Sequence, residues 1–177
     1  MAGQALDLRT LIRDIPDFPQ PGILFRDITP LLLDPEGLEQ AIIRLAQCVG
    51  EEPVDYVVAA EARGFILGAA LARELHAGFV PARKPGKLPA DTVSAEYALE
   101  YGLDALEVHA DALADGARVL VHDDLLATGG TARALCELVS SLGGRIVGCS
   151  FLIELEPLGG RTRLEPHPVT SLIRYSE

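Results

Sequence analysis

The chain has 177 residues, of which 26 are acidic and 15 are basic, so its formal net charge is −11. This length favours a single domain with a core of its own. The charge argues against a protein that wraps duplex nucleic acid, which needs a basic face for the phosphates. The only lysines, Lys84 and Lys87, lie beside Arg83 in the acid-free segment 81–89. An acidic chain has therefore placed its lysines in one short segment.

Three widely spaced cysteines, Cys48, Cys136 and Cys149, form no metal-binding or redox motif. Each is expected to be a small apolar core residue, which favours a reducing compartment, and we expect a cytoplasmic protein. The first residues carry charges without an apolar stretch, so no secretory signal is expected. No apolar run approaches the ~20 residues of a membrane span.

The first thirty residues predict little regular structure. Residues 5–13 suit a short amphipathic helix, and the proline-rich segment 15–22 is expected to be irregular. The apolar segment 23–29 contains Arg26 and Asp27. If these charges are buried they need partners, which would be each other or groups across a dimer interface.

From residue 36 onward, helices and strands alternate. The periodicity predicts helices over 36–49, 64–75 and 130–142, and strands over 54–60, 78–81, 118–122, 145–153 and, at an edge, 169–174. Residues 93–101 and 103–109 are expected to form an antiparallel hairpin that reaches away from the core. The alternation predicts an α/β domain with a central, mainly parallel sheet flanked by helices. Ligands are then expected at the carboxyl ends of the strands.

Two acidic residues, Asp123 and Asp124, follow the predicted strand 118–122 and precede a turn of small residues. The turn opens a predicted helix, whose free N–H groups and dipole suit an anion. Its members are Ala127, Thr128, Gly129, Gly130 and Thr131. Carboxylates beside an anion site would repel a bare phosphate, so the ligand should also carry hydroxyls or a metal ion. The pattern favours a sugar phosphate, although each feature alone also suits an ordinary strand-to-helix turn.

The segment 121–131, Val-His-Asp-Asp-Leu-Leu-Ala-Thr-Gly-Gly-Thr, resembles the phosphoribosyl pyrophosphate binding motif of the type I phosphoribosyltransferases. Four further segments resemble, in the same order along the chain, the branch of that family that acts on adenine: 25–29, 61–65, 83–89 and 99–102. His122 departs from the family pattern, which usually has an apolar residue there. We expect His122 to pack or hydrogen-bond rather than to act in catalysis.

The resemblance implies the type I phosphoribosyltransferase fold in a single domain over 1–177. A small N-terminal hood would cover about 1–33, and the core about 34–177, with a flexible catalytic loop over about 82–102. The implied reaction transfers the 5-phosphoribosyl group from phosphoribosyl pyrophosphate to N9 of adenine, giving AMP and pyrophosphate. Mg²⁺ would be bound mainly through phosphoribosyl pyrophosphate and water, without a dedicated protein ligand. A homodimer is implied, with no nucleic acid or membrane partner.

The resemblance also assigns residues to the donor. Asp123 and Asp124 would bind the ribose hydroxyls, and 127–131 would hold the 5-phosphate. Pyrophosphate would meet Ala62, Arg63, Lys84 and Tyr101, and a non-proline cis peptide is expected at Ala62–Arg63. The implied catalytic residues are Arg63, Arg83, Lys87 and Glu100, and Arg83 could act on the partner subunit's site.

For adenine, the resemblance implies that Phe25 stacks on one face of the base and Leu155 lies on the other. Backbone groups of Leu24 and Arg26 would read its Watson–Crick edge. Glu100 would handle the proton at the base or clamp the imidazole edge, and it could equally be an exposed hairpin residue.

Two other functions stay open. One is transfer to guanine, hypoxanthine, xanthine or orotate, against which the element 25–28 and the lack of a long C-terminal base-binding extension argue. The other is a regulator that senses phosphoribosyl pyrophosphate and binds nucleic acid. That function predicts a basic face or an added domain, which the net charge of −11 and the length of 177 residues disfavour.

Overall fold

The structure is a computed structural model that describes residues 6–99 and 102–177. The chain starts with a small N-terminal layer. A 3-10 turn at Leu8–Leu11 leads into an antiparallel pair of strands, β1 (Arg13–Pro16) and β2 (Leu24–Asp27). Helices α1 (Thr29–Leu33) and α2 (Pro35–Cys48) follow.

The centre of the molecule is a five-stranded parallel sheet. Its strands are β3 (Tyr56–Ala60), β4 (Gly78–Ala82), β7 (Arg118–Leu126), β8 (Arg145–Leu155) and β9 (Val169–Tyr175), in the spatial order β4-β3-β7-β8-β9. Helix α3 (Arg63–Glu74) connects β3 to β4, and α4 (Gly130–Ser141) connects β7 to β8. The sheet confirms the fold class that the alternating pattern predicts.

Apolar side chains are buried on both faces of this sheet. Along β7, Val119 and Val121 join the cluster under α4, whereas Leu120 joins the cluster under α2 and α3. Parallel strands with two buried faces are apolar almost throughout, which is why the sequence identified them well.

An antiparallel hairpin of β5 (Thr92–Leu99) and β6 (Gly102–His109) forms a separate two-stranded sheet. The expectation that it reaches away from the core is wrong. One face of the hairpin packs on the α4 side of the core, through Val93, Ala95, Tyr97, Leu106 and Val108. The strand alternation that identified the hairpin also gives it an apolar face, and that face is buried.

The N-terminal elements differ from the sequence prediction. In the described residues, the helix predicted over 5–13 is only the 3-10 turn at Leu8–Leu11. Part of the segment expected to be irregular pairs as β1, because Pro16 lies at the very end of that strand and removes no essential hydrogen bond. Cys48, expected in the core, is exposed in the last turn of α2, while Cys136 and Cys149 are buried.

Strand β7 is longer than predicted. It continues to Leu126, because β8 extends beside it and pairs Leu126 with Glu154. Asp123 and Asp124 therefore lie within the strand, near its carboxyl end, rather than after it.

Within residues 6–99 and 102–177, no helix is long and apolar enough to cross a membrane.

Candidate active site

The carboxyl ends of β3 and β7 bring together the acidic pair and the turn that starts α3. Asp123 Oδ1 accepts a hydrogen bond of 2.9 Å from the Asp124 backbone N–H. A Cβ on Gly64 would lie 2.7 Å from that same Asp123 oxygen, so only glycine allows the first turn of α3 to approach the carboxylate this closely. The two carboxylates therefore sit directly under the N-terminus of α3.

Arg63, the first residue of α3, is the cation nearest to this pair. Its Nε lies 3.0 Å from Asp124 Oδ2, an ion pair without the alignment of a hydrogen bond. Its guanidinium also lies over the Phe25 ring, 5.0 Å from the centroid. One arginine thus connects the residues expected at the ribose with the residue expected at the base.

The environment of Asp123 and Asp124 disfavours two negative charges. Burial raises the pKa of Asp123, and the neighbouring Asp124 carboxylate raises it further. Burial also raises the pKa of Asp124, against which the Arg63 guanidinium acts. Among the described residues, none donates a hydrogen bond to Asp124 Oδ2, so a buried acceptor is available to a ligand hydroxyl.

The turn after β7 forms a small cradle at the start of α4. Residues 125–132 line a cavity of about 70 Å³. Gly129 has φ of +83°, and a Cβ there would lie 2.6 Å from the Gly160 carbonyl oxygen. Gly160 belongs to a 3-10 turn, Gly160–Leu164, which the sequence analysis missed. The cradle is therefore shaped by a second segment packed against its backbone.

The basic segment is anchored to the turn after β3. Glu61 accepts hydrogen bonds from the Lys84 backbone N–H at 2.5 Å and from Arg83 Nη2 at 3.2 Å. These partners hold the pKa of Glu61 below its usual value, the Lys84 N–H contributing most. Lys87 is exposed. The predicted pyrophosphate residues Ala62, Arg63, Arg83 and Lys84 thus lie around one turn, and Glu61, which was given no role from the sequence, joins them.

The non-proline cis peptide lies one bond earlier than expected, at Glu61–Ala62 rather than Ala62–Arg63. Helix α3 begins at Arg63, so the peptide that precedes Arg63 already belongs to the helix start. The cis peptide bond therefore lies in the turn between β3 and α3.

The residues predicted to contact adenine lie on two strands. Leu24, Phe25 and Arg26 are on β2, and Leu155 is the last residue of β8. Phe25 is partly buried and makes an edge contact with Phe18, with ring centroids 5.1 Å apart. The approach of Arg63 places Phe25 at the carboxylate site.

The charged pair on β2 is satisfied by β1 rather than internally or across an interface. Arg26 pairs with Asp14, and Asp27 Oδ2 lies 2.6 Å from Arg13 Nη2. The Arg26 guanidinium also stacks over the Tyr175 ring, 3.7 Å from the centroid. The antiparallel pairing of β1 with β2, which the prolines concealed, places these partners opposite one another.

His122 behaves as expected for a buried packing residue. It is fully buried, and its Nδ1 lies 2.9 Å from Ser150 Oγ on β8. Burial lowers the pKa of His122 to about 4, so the ring is neutral at physiological pH. Glu100 and Tyr101, the remaining predicted site residues, lie outside the described residues.

Residues 32–171 match the phosphoribosyl transferase domain family, the class of protein that this sheet and its carboxylate site define. Two relatives are adenine phosphoribosyltransferases. That of Prochlorococcus marinus strain MIT 9313 is 58% identical over 172 residues, covering 97% of this chain and 100% of the relative. That of Thermotoga maritima is 58% identical over 170 residues, covering 96% of this chain and 98% of the relative. The chain therefore belongs to the adenine phosphoribosyltransferase branch of the phosphoribosyltransferase family.

Solved structures agree with this assignment. Adenine phosphoribosyltransferase from Thermoanaerobacter pseudethanolicus superposes with a TM-score of 0.93 at 52% identity, covering 95% of this chain and 98% of that chain. The enzyme from Saccharomyces cerevisiae, solved with an imino-altritol bisphosphate and adenine, gives a TM-score of 0.88 at 40% identity, covering 93% and 96%.

Proposed function

We propose that this protein transfers the 5-phosphoribosyl group from phosphoribosyl pyrophosphate to N9 of adenine, releasing pyrophosphate and forming AMP. The observation that carries the proposal is the pair Asp123 and Asp124, with Arg63 3.0 Å from one carboxylate and the N–H-rich cradle of 127–131 directly after it. A sugar phosphate has hydroxyls for the carboxylates and a phosphate for the cradle. The relatives named adenine phosphoribosyltransferases support the choice of base.

In this mechanism the ribose is held over the acidic pair. Asp124 Oδ2, which accepts no hydrogen bond from the described residues, is an acceptor for one ribose hydroxyl, and Asp123 is an acceptor for the other. The two carboxylates also favour positive charge developing at the anomeric carbon as the bond to pyrophosphate breaks. Residues 127–131 fix the 5-phosphate, so the anomeric carbon is positioned for the base.

The leaving pyrophosphate would be stabilised by cations from two segments. Arg63 enters from the start of α3, and Arg83, Lys84 and Lys87 enter from the basic segment that Glu61 anchors beside it. Ala62 contributes its backbone N–H. Cations that face the oxygen on which charge accumulates lower the barrier more than they strengthen binding of adenine.

We propose that Mg²⁺ arrives with the donor. Within the described residues, no group of three or more His, Cys, Asp or Glu side chains could form a metal cage. Mg²⁺ suits sites of this kind, where it keeps several waters and binds substrate phosphates, and Asp123 and Asp124 are the carboxylates that would meet its waters. When bound, the ion neutralises part of the charge on the pyrophosphate.

The base would lie against Phe25, with Leu155 on its other face and the β2 backbone at Leu24 and Arg26 reading its edge. The Arg63 guanidinium over the Phe25 ring would then move aside as the base stacks. Glu100, next to Tyr101, stays the candidate for holding the proton at the base. A Glu100→Gln variant that loses activity while keeping its affinity for adenine would support that role.

The direct test is AMP formation from adenine and phosphoribosyl pyrophosphate by the purified protein, followed by chromatography with and without Mg²⁺. The proposal expects AMP and pyrophosphate in equal amounts, with turnover dependent on Mg²⁺. No AMP under any divalent cation would refute it. A panel of guanine, hypoxanthine, xanthine and orotate tests the base, and faster turnover of any of these would overturn the assignment of adenine.

A homodimer and a flexible catalytic loop remain predictions from the resemblance, and a cytoplasmic location remains a prediction from the cysteines. Light scattering on the purified protein would determine the oligomeric state. Mixing Arg83→Ala subunits with subunits that lack Asp123 and Asp124 carboxylates would test whether Arg83 serves the partner's site, because only an arginine acting in trans restores activity in the mixture. The regulatory alternative predicts binding of phosphoribosyl pyrophosphate without turnover.

A further inference from the structure

A chain of polar side chains connects the hairpin to the basic segment. Tyr97 and Asp104 are directly opposed on β5 and β6, and the Tyr97 hydroxyl donates a 3.0 Å hydrogen bond to Asp104 Oδ2. Lys84 Nζ donates to the same Asp104 oxygen. Tyr97, Asp104 and Lys84 thus form one continuous chain.

Lys84 spans two structural elements. Its backbone N–H is fixed by Glu61 at the pyrophosphate turn, whereas its ammonium ends on the hairpin at Asp104. The ammonium holds the pKa of Asp104 below its usual value, so Asp104 is ionised at neutral pH. The Asp104 side chain is 17% exposed and the Lys84 side chain 50%, so the pair is fixed at the acid and open at the lysine.

We propose that Asp104 is a positioning residue that holds Lys84 on the hairpin and competes with pyrophosphate for it. This inference rests on the proposed function, in which Lys84 meets pyrophosphate. Tyr97 keeps Asp104 in place through the hydrogen bond from its hydroxyl. Lys84 serves pyrophosphate only by leaving the Asp104 carboxylate, and the carboxylate recovers it when pyrophosphate leaves.

The competition has a definite sign. A carboxylate near a polyanion repels it and also withholds a cation from it, so both effects of Asp104 weaken binding of pyrophosphate. Removing the charge should therefore tighten binding, whereas loss of a residue that merely supports the fold would weaken it. The gain depends on Lys84, because without that lysine there is no cation to release.

The test is a double-mutant cycle on pyrophosphate affinity, measured by titration calorimetry of the full chain with magnesium pyrophosphate. The variants are Asp104→Asn, Lys84→Met and the double variant, with Glu96→Gln as the matched control. Glu96 is exposed on the same hairpin, one residue from Tyr97, and its substitution changes the charge equally. Asp104→Asn is expected to tighten binding about fivefold, the upper end for a partly exposed ion pair, and Glu96→Gln to leave it unchanged.

In the Lys84→Met background, the gain from Asp104→Asn is expected to fall below twofold. Steady-state kinetics should show a lower KM for phosphoribosyl pyrophosphate with the KM for adenine unchanged. Asp104→Ala serves as a second variant, since asparagine can still accept from Lys84. Weaker binding in folded Asp104 variants, or equal effects with and without Lys84, would overturn the proposal.

The outcomes separate this inference from the proposed function. If the wild-type protein makes AMP and the cycle shows no coupling, Asp104 does not position Lys84 and the function stands. If the coupling is present and adenine is not converted, the proposed function fails alone. If pyrophosphate does not bind the wild-type protein at all, the inference fails.

Discussion

Arg63 and Asp124 form the central ion pair of the site, with Nε 3.0 Å from Oδ2. Asp124 is 4% exposed, and burial would otherwise leave its charge uncompensated. The same guanidinium lies over Phe25, so one side chain touches the residues proposed for ribose and for base. Arg63 therefore compensates part of the negative charge of the acidic pair and, in the proposed function, supplies a cation to the donor.

Arg63→Ala is expected to lower kcat/KM for phosphoribosyl pyrophosphate by about 10²–10³-fold, since one preorganised charge facing the leaving group has that magnitude. Initial rates at varied donor concentration measure it. Arg73→Ala is the matched control, because Arg73 is exposed on the last turn of the same helix. An equal loss of kcat/KM in both variants would mean that the net charge of α3, rather than the contact of Arg63 with the site, determines the rate.

Asp123→Asn is expected to lose activity while gaining stability. The pKa of Asp123 is raised in the folded protein, so its ionised form disfavours folding at neutral pH, and that cost disappears as the pH falls through the raised pKa. Asparagine removes the charge. The gain in Tm over wild type should be larger at pH 7.5 than at pH 5, measured by thermal unfolding. A lower Tm at pH 7.5 would contradict this reading of the pair.

Lys87→Ala is expected to lower kcat/KM for the donor about tenfold while leaving the KM for adenine unchanged, because in the proposed mechanism its charge stabilises the leaving group and not the base. Lys87 lies near enough to Glu61 for its charge to lower the pKa of that carboxyl. Steady-state kinetics with each substrate varied in turn separate the two effects. An unchanged value for the donor would remove Lys87 from the mechanism.

Gly129→Ala is expected to destabilise the fold by about 3 kcal/mol and to raise the KM for phosphoribosyl pyrophosphate, since the new Cβ combines a positive φ with a backbone clash. The Cβ would lie 2.6 Å from the Gly160 carbonyl oxygen. Gly159→Ala is the control, with φ of +64° and nothing within 4 Å of the Cβ. It should cost about 1 kcal/mol in urea unfolding, for strain alone. Equal losses of unfolding free energy in Gly129→Ala and Gly159→Ala would argue against a tightly packed cradle.

His122→Leu is expected to reduce the sensitivity of the fold to acid. The pKa of His122 is lowered to about 4, so the wild-type protein loses stability as the pH falls from the unfolded value towards 4. Between pH 7.5 and pH 5 this loss is about 2 kcal/mol, and the leucine variant should lack it. Ser150→Ala is the control, because it removes the hydrogen bond and keeps the histidine. Parallel pH profiles for wild type and His122→Leu would refute the assignment.

Much of the fold could be predicted from local pattern. Helices α2, α3 and α4 and the buried strands begin and end within a few residues of their predicted bounds, because each carries its own apolar periodicity. Pairing that depends on a distant strand could not be predicted. The extension of β7 to Leu126 needs β8 beside it. Strand β1 needs β2 beside it to satisfy the backbone hydrogen bonds of a segment rich in proline.

The candidate site divides in the same way. Asp123, Asp124 and the turn 127–131 lie close together along the chain, so their chemistry could be predicted from the sequence. The basic segment could be identified because it contains the only lysines. Gly160, Asp104 and Tyr97 carry no local signal for a role in the site, and Glu61 lies in the resembling segment 61–65 without a role assigned to it. Their roles arise from contacts across the sheet and the hairpin.

The sequence by itself determined the α/β class, the candidate donor-binding motif and the family resemblance, because each depends on residues close together along the chain. Only the tertiary structure decided which charges meet. Arg63 neutralises Asp124, Glu61 anchors Lys84, and Asp104 receives the end of that lysine. The physical reason is that an ion pair depends on distance in space, and residues 20 or more positions apart reach that distance only when the sheet and hairpin are assembled.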